Sequence, residues 1–316
     1  MKQRTFILLS FLVTGLLFLG CKQEDITPAY LEITLEDIQN SMDVSTYNQE
    51  HETTWSSEQL AVLASQSFKE VWVSVNGDDR GLYKLPCRIP LLASDSSRIQ
   101  IDPAVRLNGV STVLPKYPFV NSFTKNVFLV KGETANFQSS PIKFKYIEDG
   151  ARLKTPILET FEQSSSFTQL VENQGAKFVP NYRIDGRSVG KITLADTILK
   201  FNLISAGRDM PICEYAFVEI DYRCDDEFTV GAAVKNLYGQ VEYIPLVNVR
   251  RSGENGDEWR KIYVNLTQVI NQKLDVTNIA RDFKIYLSGE SSEKDKTINI
   301  YMDNIKLIYL QRYPTI

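Results

Sequence analysis

One serine lies in a motif that could support nucleophilic catalysis. Gly186-Arg-Ser-Val-Gly190 matches G-x-S-x-G, the turn that presents the nucleophilic serine of α/β-hydrolases. Such a serine needs a base within hydrogen-bond distance, and the only histidine of the chain, His51, lies far upstream in a polar segment. The residues after the motif, Lys191-Ile-Thr-Leu194, favour a strand instead of the helix that the hydrolase turn requires. The sequence therefore predicts a turn at Asp185-Gly186 followed by a strand, and no catalytic residues.

Three other kinds of chemistry have little support in the sequence. The stretch from Gly186 to Lys191 is too short between its glycines for a phosphate-binding loop, and Ile192 stands where Mg²⁺ would need Ser or Thr. The single histidine and the scattered cysteines form no cluster suited to zinc. Among 39 acidic residues, no flanking pattern selects a carboxylate pair for glycoside hydrolysis. We therefore expect a protein that is not an enzyme and requires no cofactor.

Length and charge limit the classes of partner. The 316 residues, 43% of them hydrophobic, suffice for about two domains of about 150 residues each. The formal net charge is -4, and no cluster of Lys and Arg concentrates positive potential. A mildly acidic chain of this kind has no general attraction for phosphate backbones. Nucleic acid is therefore excluded as a partner.

The first twenty residues have the pattern of a secretory signal peptide. Lys2 and Arg4 give a positive start, residues 6–19 are almost wholly apolar, and Gly20-Cys21 follows. A membrane-spanning helix is the alternative, but it needs about 20 apolar residues and this run is shorter. The run also gives way at once to Lys22-Gln-Glu-Asp25. The sequence predicts cleavage of residues 1–20 and a tether over residues 21–28.

The end of this segment, Phe18-Leu19-Gly20-Cys21, resembles the lipobox of bacterial lipoproteins. Phe18 stands in place of the usual Leu, and that looseness is similar to lipoboxes of Bacteroidota. The resemblance implies that Cys21 is acylated and becomes the mature N-terminus. The acidic residues after it resemble the signal for the outer face of the outer membrane. Several acyl chains, at about 0.8 kcal/mol per buried CH₂, would give a durable lipid anchor.

Three cysteines remain beside Cys21, and no disulfide is expected among them. Cys213 and Cys224 bracket one strand-like run, which would separate them by roughly 35 Å. A disulfide needs Cα atoms within about 7 Å. Cys87 lies in the other half of the chain.

The first half of the mature chain has the pattern of an all-β domain. Leu31, Ile33 and Leu35 alternate with polar residues, as in a half-buried strand. Ser56 and Gln59 fit a capping box for one short helix. Further strands are predicted at 71–75, 80–85, 97–101, 126–130 and 142–147, with polar loops over 40–57 and 103–122. Short strands at this spacing favour an Ig-like β-sandwich over residues 29–148.

The pattern restarts after Glu148-Asp149-Gly150, the predicted boundary. Eight strands with almost no helical periodicity favour a jelly roll over residues 151–313. They are predicted at 157–161, 191–194, 198–203, 215–222, 229–234, 261–266, 283–287 and 298–309. The fold class is therefore all-β, with an N-terminal Ig-like β-sandwich followed by a C-terminal jelly-roll β-sandwich.

Short motifs in the second half resemble the galactose-binding-type jelly rolls of carbohydrate-binding modules. They are Leu158-Glu-Thr-Phe-Glu162, Trp259-Arg-Lys-Ile-Tyr-Val-Asn-Leu266 and Tyr301-Met-Asp-Asn-Ile-Lys-Leu307. The whole mature chain is also similar to a family of uncharacterised Bacteroidota lipoproteins. The residues that carry this second resemblance are Val71-Trp-Val-Ser-Val-Asn-Gly77, Tyr117-Pro-Phe119 and Glu219-Ile-Asp-Tyr222.

The jelly-roll resemblance implies a possible structural calcium site. In such modules a carboxylate of the first strand and the Asp of the closing strand often share Ca²⁺, and the matching residues are Glu162, or less well Glu159, and Asp303. The apolar parity also changes near Asp303, from Ile298, Ile300 and Met302 to Ile305, Leu307 and Tyr309, which predicts a β-bulge at Asp303-Asn304. A plain bulge with solvated carboxylates is the alternative.

Two functions remain open from the sequence. The first is a non-enzymatic, lipid-anchored surface protein that acts as an interaction subunit of an outer-membrane assembly, secretion or transport complex, with loops 40–57 and 103–122 docking its protein partners. The alternative is a glycan-binding surface lipoprotein, in which Tyr238 and Tyr243, near the turn at Gly239, would stack on sugar rings. Of the three tryptophans, Trp72 and Trp259 are predicted to lie in the core and Trp55 to be exposed.

Overall fold

The computed structural model describes residues 27–39, 41–92, 95–162, 165–170, 176–195, 200–236, 238–290 and 297–313. The predicted signal peptide and the lipidation site at Cys21 lie outside these residues. Within them, none of the helices is long and apolar enough to cross a membrane.

The described first half forms two sheets and three short helices. One sheet has the order β4-β1-β7 and the other has the order β3-β2-β5-β6, with β1 and β7 parallel and the other pairs antiparallel. The strands are β1 (Ala29–Ile33), β2 (Glu70–Val75), β3 (Asp78–Lys84), β4 (Cys87–Leu91), β5 (Asp95–Ala104), β6 (Phe123–Leu129) and β7 (Thr134–Ala135). The helices are α1 (Leu35–Ile38), α2 (Tyr47–Glu50) and α3 (Ser57–Ala64).

Local sequence signals explain several of these elements. Asn76 and Gly77 both have positive φ (56° and 91°), as a two-residue hairpin turn between β2 and β3 requires. Ser56 and Gln59 form the predicted capping box before α3, with bonds of 3.3 Å and 3.1 Å between side chain and backbone. Along β1, alternate residues are buried, which places Leu31 and Ile33 in the core.

Residues 142–147 differ from their prediction as a strand. Their alternation holds, because Ile142, Phe144 and Tyr146 are all buried. The backbone, however, makes only isolated bridges, from Phe144 to Met42 and from Tyr146 to Val120. Residues 142–147 therefore form an extended segment that packs against the core, and no continuous series of backbone hydrogen bonds joins this segment to a neighbouring described strand.

The described second half is a sandwich of two six-stranded sheets. The first sheet has the order β10-β11-β19-β14-β17 with β8 also paired to β19, and the second has the order β16-β15-β18-β12-β9 with β13 also paired to β18. The elements are β8 (Leu153–Glu159), β9 (Phe167–Gln169), β10 (Lys177–Ile184), β11 (Arg187–Leu194), β12 (Lys200–Ser205), β13 (Arg208–Pro211), β14 (Cys213–Cys224), β15 (Phe228–Lys235), β16 (Val241–Val249), β17 (Arg260–Asn265), α4 (Thr267–Gln272), β18 (Ile279–Glu290) and β19 (Ile298–Gln311). The predicted all-β class with β-sandwich sheets is confirmed.

The long strands β14 and β19 run side by side through the first of these sheets. Their register shifts where Glu219 pairs with Lys306 but Asp221 pairs with Asp303, so β19 carries one extra residue there. Asn304 has a φ of 49° at this point. The predicted β-bulge at Asp303-Asn304 is therefore present. Cys213 and Cys224 are the first and last residues of β14, and Cys87, Cys213 and Cys224 are free thiols.

The two halves share one of the two hydrophobic clusters. On one face of β14 and β19, residues such as Val218 and Leu307 fill the sandwich of the second half. On the opposite face, Phe217 and Ile308 belong to the cluster that also contains the core of the first half. The Phe119 and Phe217 rings pack edge to face with centroids 5.1 Å apart. The second half therefore completes the apolar core of the first, whereas the cluster inside the second sandwich contains residues of the second half alone.

Loops 40–57 and 103–122, predicted to dock a partner, contribute to this junction. Loop 40–57 contains α2 and buries Tyr47, whose hydroxyl lies 3.3 Å from Thr155 Oγ1. Loop 103–122 buries Tyr117 and Phe119 against the second half. Much of the apolar surface of both loops is thus already covered by this chain.

Candidate functional site

The serine motif has no catalytic surroundings among the described residues. Asp185 and Gly186 form the predicted turn, between β10 and β11, with φ of 52° and 78°. The strand that follows begins earlier than predicted, at Arg187, so Ser188 lies within β11. The Ser188 hydroxyl donates to Glu162 Oε2 at 2.9 Å. His51 is buried in the first half, with its ring 4.2 Å from that of Tyr47. No histidine is therefore placed to activate Ser188.

Glu162 and Asp303, the predicted calcium ligands, contact opposite faces of β11. Glu162 binds Ser188, whereas Asp303 Oδ2 lies 3.9 Å from Nη1 of Arg187. Arg187 and Ser188 are consecutive strand residues, whose side chains point to opposite faces. Asp303 thus has a guanidinium for a neighbour, and the described residues contain no group of three or more His, Cys, Asp or Glu suited to a metal ion. The geometry gives calcium no support, and the site stays a prediction.

A cavity of about 640 Å³ lies beside α3, and one of the carboxylates that line it, Glu159, is hydrogen-bonded to the backbone. Glu159, the second choice for calcium, accepts bonds from the backbone N–H groups of Phe161 and Ser166 at 3.0 Å and 2.6 Å. The Ser166 hydroxyl also donates to it at 2.8 Å. These bonds fix the loop after β8, so the role of Glu159 is structural.

A second cavity, here called the rim pocket, lies at one end of the second sandwich. Its volume is about 540 Å³, within the size range of ligand sites. It is lined by the β15–β16 hairpin, by the segment after α4 and by the start of β18. Tyr238 stands at its edge with 89% of its surface exposed. An aromatic ring is thus offered to solvent beside a preformed cavity.

The backbone around Tyr238 is held by one asparagine. The Asn236 side chain accepts from the backbone N–H groups of Tyr238 and Gln240 at 2.9 Å and 3.0 Å. The backbone N–H of Asn236 donates to the Gln240 carbonyl at 2.8 Å. Asn is suited to this bridging role in turns. The turn therefore fixes the place from which the tyrosine projects.

The charges of the rim pocket are paired with one another. Lys273 binds Glu242, and Arg281 lies 2.9 Å from Asp275, with Lys235 paired at 3.2 Å to Asp282. The hydrogen bond from Lys273 holds the pKa of Glu242 below its ordinary value. Bonds from Thr277 and Arg281 likewise lower the pKa of Asp275. The pocket therefore presents many hydrogen-bonding groups with little net charge.

Tyr243 is placed apart from Tyr238. It lies in β16, is 46% exposed, and its ring is 5.0 Å from that of Tyr286 in β18. Glu242, the preceding residue, lines the rim pocket, so Tyr243 points to the opposite face of the strand. The Tyr286 hydroxyl in turn donates to Asn202. The structure therefore does not bring the two predicted tyrosines into one site.

All three tryptophans differ from their predictions. Trp55 is only partly exposed and packs against the core of the first half. Trp259 comes before β17 and outside both apolar clusters, with the Arg187 guanidinium 5.0 Å from its ring. Trp72 is partly buried and also lies outside both apolar clusters, and its indole N–H donates to the Leu114 carbonyl at 2.9 Å.

Most residues of the rim pocket were not found from the sequence. Its cations and carboxylates come from four separate segments, which only the fold brings together: Lys235, Glu242, Lys273, Asp275 and Arg281. Outside this pocket, the position of Tyr286 beside Tyr243 had a usable signal in the sequence, because Tyr286 stands between the apolar residues Ile285 and Leu287 and must face outward when they face the core.

A scan against protein-family models finds no match for this chain, and a search of the curated proteins finds none. Similar solved structures include the family 11 carbohydrate-binding module of the cellulosomal cellulase Lic26A-Cel5E of Clostridium thermocellum. It is 16% identical, with 51% of this chain and 98% of that chain covered and a TM-score of 0.34. The module CBM28, specific for non-crystalline cellulose, is 9% identical, with coverage of 48% and 93% and a TM-score of 0.36.

A third similar structure is the CBM22-1-GH10 part of xylanase Xyn10B of Clostridium thermocellum, complexed with xylohexaose. It is 11% identical, with a TM-score of 0.33, and the match covers 51% of this chain but only 29% of that chain. All three matches therefore extend over about half of this protein.

Proposed function

We propose that this protein binds a neutral glycan at the rim pocket, which is the glycan-binding alternative set out from the sequence. The observation that carries the proposal is Tyr238, 89% exposed on a fixed turn beside a cavity of about 540 Å³. A large aromatic ring left in solvent contributes nothing to the core. It is suited to stacking on the apolar face of a sugar ring.

The polar lining supports a sugar over a charged ligand. Asn236, Gln272 and the paired carboxylates offer donors and acceptors to hydroxyl groups. The cations are already bound to Glu242, Asp275 and Asp282, so an anionic ligand would have to displace one of these partners. A neutral polyhydroxyl compound needs no such displacement.

The same carboxylates support binding without hydrolysis. A glycosidase needs one carboxyl group that is protonated near neutral pH to act as a general acid. Ion pairs and hydrogen bonds lower the pKa of both Glu242 and Asp275, which keeps both groups ionised. We therefore propose a binding protein and not an enzyme.

The experiment uses the full chain, because removal of the first half would expose Phe217 and Ile308 of the second. Neutral glycans are screened on an array, and the strongest ligand is titrated by calorimetry. We expect Tyr238→Ala to weaken binding by about 1–3 kcal/mol, on the scale of aromatic stacking measured with nucleic-acid bases.

Tyr243→Ala is the matched control, since it removes a partly exposed tyrosine from the opposite face of the same hairpin. We expect it to bind with unchanged affinity. The proposal fails if the array shows no neutral glycan, or if the Tyr238→Ala protein binds as tightly as the unaltered chain.

The lipid anchor at Cys21, its outer-membrane location and the role as an interaction subunit stay predictions from the sequence. The docking hypothesis loses part of its basis, because Tyr47, Tyr117 and Phe119 of its two loops are buried within the chain.

A further inference from the structure

A third cavity, here called the junction cleft, opens between the two halves of the chain. Its volume is about 500 Å³. The first half contributes the ends of β2, β3 and β5, and the second half contributes the start of β17 and the residues before it. It contains neither Tyr238 nor any other residue of the rim pocket.

The walls of this cleft are fixed to each other by backbone contacts. Leu107 forms a β-bridge with Tyr263, and the backbone N–H of Asn108 donates to the Tyr263 carbonyl at 2.8 Å. Asn108 Oδ1 accepts from the Asn265 backbone N–H at 2.8 Å. The cleft is therefore preformed, and a ligand would not have to order two separate domains to bind there.

Positive charge exceeds negative charge in the lining. Five cations and two carboxylates line the cleft. Three of the cations have carboxylate partners: Arg106 with Glu70, Arg260 with Glu258 at 2.9 Å, and Lys261 with Asp221 at 2.8 Å.

The two remaining cations are Lys69 and Lys84, which are both exposed. Neither forms an ion pair with any carboxylate in the described part of the chain. Their backbones are adjacent, because Lys84 pairs with Glu70 across β2 and β3, and the Lys69 carbonyl accepts from the Leu85 N–H at 2.9 Å. Both lysines line the cleft from the first half of the chain.

The opposite wall presents an aromatic ring. Trp259 lines the cleft and is half-buried. Its indole N–H lies 3.3 Å from Asp185 Oδ2, and the Arg187 guanidinium lies 5.0 Å from the ring. These contacts hold the indole at the mouth of the cleft without adding it to a hydrophobic core.

We propose that the junction cleft binds an anionic saccharide, such as one that bears uronate carboxylates. Lys69 and Lys84 bind the acidic groups, and Trp259 packs on a sugar ring. Two unpaired ammonium groups beside an indole ring are complementary to a ligand that has both an anionic group and an apolar face. This site is additional to the rim pocket and does not depend on it.

The test titrates the full chain with an oligogalacturonate by calorimetry, at low salt and at about 150 mM salt. We expect binding that weakens with salt. The Lys69→Gln/Lys84→Gln protein should bind about 3- to 30-fold more weakly, the range for two partly exposed ion pairs. Trp259→Ala should weaken binding about 5- to 100-fold.

Two variants serve as controls. Lys131→Gln removes an exposed lysine far from the cleft that has no ion pair with the described residues, and its affinity should be unchanged. Tyr238→Ala should also bind the oligogalacturonate normally, which separates this site from the rim pocket. Equal binding by the double lysine variant and the unaltered chain, or no binding at all, would overturn the proposal. If inorganic phosphate at the same concentration displaces the oligogalacturonate, the cleft binds anions in general, and the proposed recognition of a saccharide is wrong.

Discussion

Asp303 carries a carboxyl group in a place that disfavours its charge. The residue is 6% exposed, and burial raises its pKa to about 7, with the nearby charge of Asp221 acting in the same direction. Between the ordinary value of 3.8 and about 7, the folded state keeps a proton that the unfolded state has released. The free energy of unfolding therefore falls as pH rises through this window.

Asp303→Asn should remove this dependence. In the unaltered chain the Asn304 backbone N–H donates to Asp303 Oδ1 at 2.8 Å. The asparagine amide cannot ionise, but its oxygen can still accept this hydrogen bond. We expect the variant to be more stable than the unaltered chain by about 1–3 kcal/mol above pH 7, with the gain vanishing toward pH 4. Urea unfolding at a series of pH values measures it. Asp257→Asn, an exposed site, is the control, and a less stable Asp303→Asn protein at pH 8 would contradict the argument.

Residue types alone predicted some single residues and not others. Tyr238 could be selected because it stands beside Gly239 in a turn, where side chains are exposed. The prediction that Trp259 lies in the core was wrong, because the residues after it form β17 but Trp259 itself lies just before that strand. Its partner Arg187 is 72 positions away by sequence number, and no local pattern reveals such a contact.

At the scale of elements, β14 and β19 are buried on both faces, and one of those faces contains charge. Lys306 Nζ lies 3.0 Å from Glu219 Oε2, and both side chains are fully buried. Tyr117 donates to Glu219, and Lys306 donates to the Tyr146 hydroxyl at 2.9 Å. The two tyrosines come from the first half, so this buried network joins the halves.

Lys306→Met should destabilise the protein by about 3–5 kcal/mol, because it leaves Glu219 as an uncompensated buried charge. Lys306→Met combined with Glu219→Gln should recover much of that loss, since the amide is neutral and can still accept from Tyr117. Denaturant unfolding of the two variants and the unaltered chain measures the difference. A double variant less stable than the single one would show that the ion pair is not the source of the effect.

The strands predicted from sequence and the strands missed occupy different places in the sheets. Interior strands such as β15, β18 and β19 have neighbours on both sides and are rich in apolar residues, which the sequence shows directly. Two of the longer strands that were missed, β10 and β16, are edge strands that contain a proline, Pro180 and Pro245. Proline is tolerated at edges because the outer N–H needs no partner, but it weakens the strand signal.

For the molecule as a whole, the shared apolar cluster implies that the halves unfold together. Phe217, Tyr263 and Ile308 of the second half lie in the cluster of the first. The described strands before residues 148–150 pair with one another, and those after these residues do likewise. The apolar cores are not divided in the same way, because the cluster of the first half includes residues of the second. Sequence periodicity shows that a strand face is apolar but not which residues cover it.

We therefore expect one cooperative thermal transition for the full chain, with equal calorimetric and van't Hoff enthalpies. Phe217→Ala should cost about 3–5 kcal/mol and move that single transition to lower temperature without splitting it. The reason is that Phe217 belongs to the second sandwich by its strand but packs against Phe119 of the first. Val276→Ala, at a side chain that is 98% exposed, should leave the transition unchanged. Two resolved transitions, with Phe217→Ala shifting only one, would show that the halves fold independently and that their contact adds little to either.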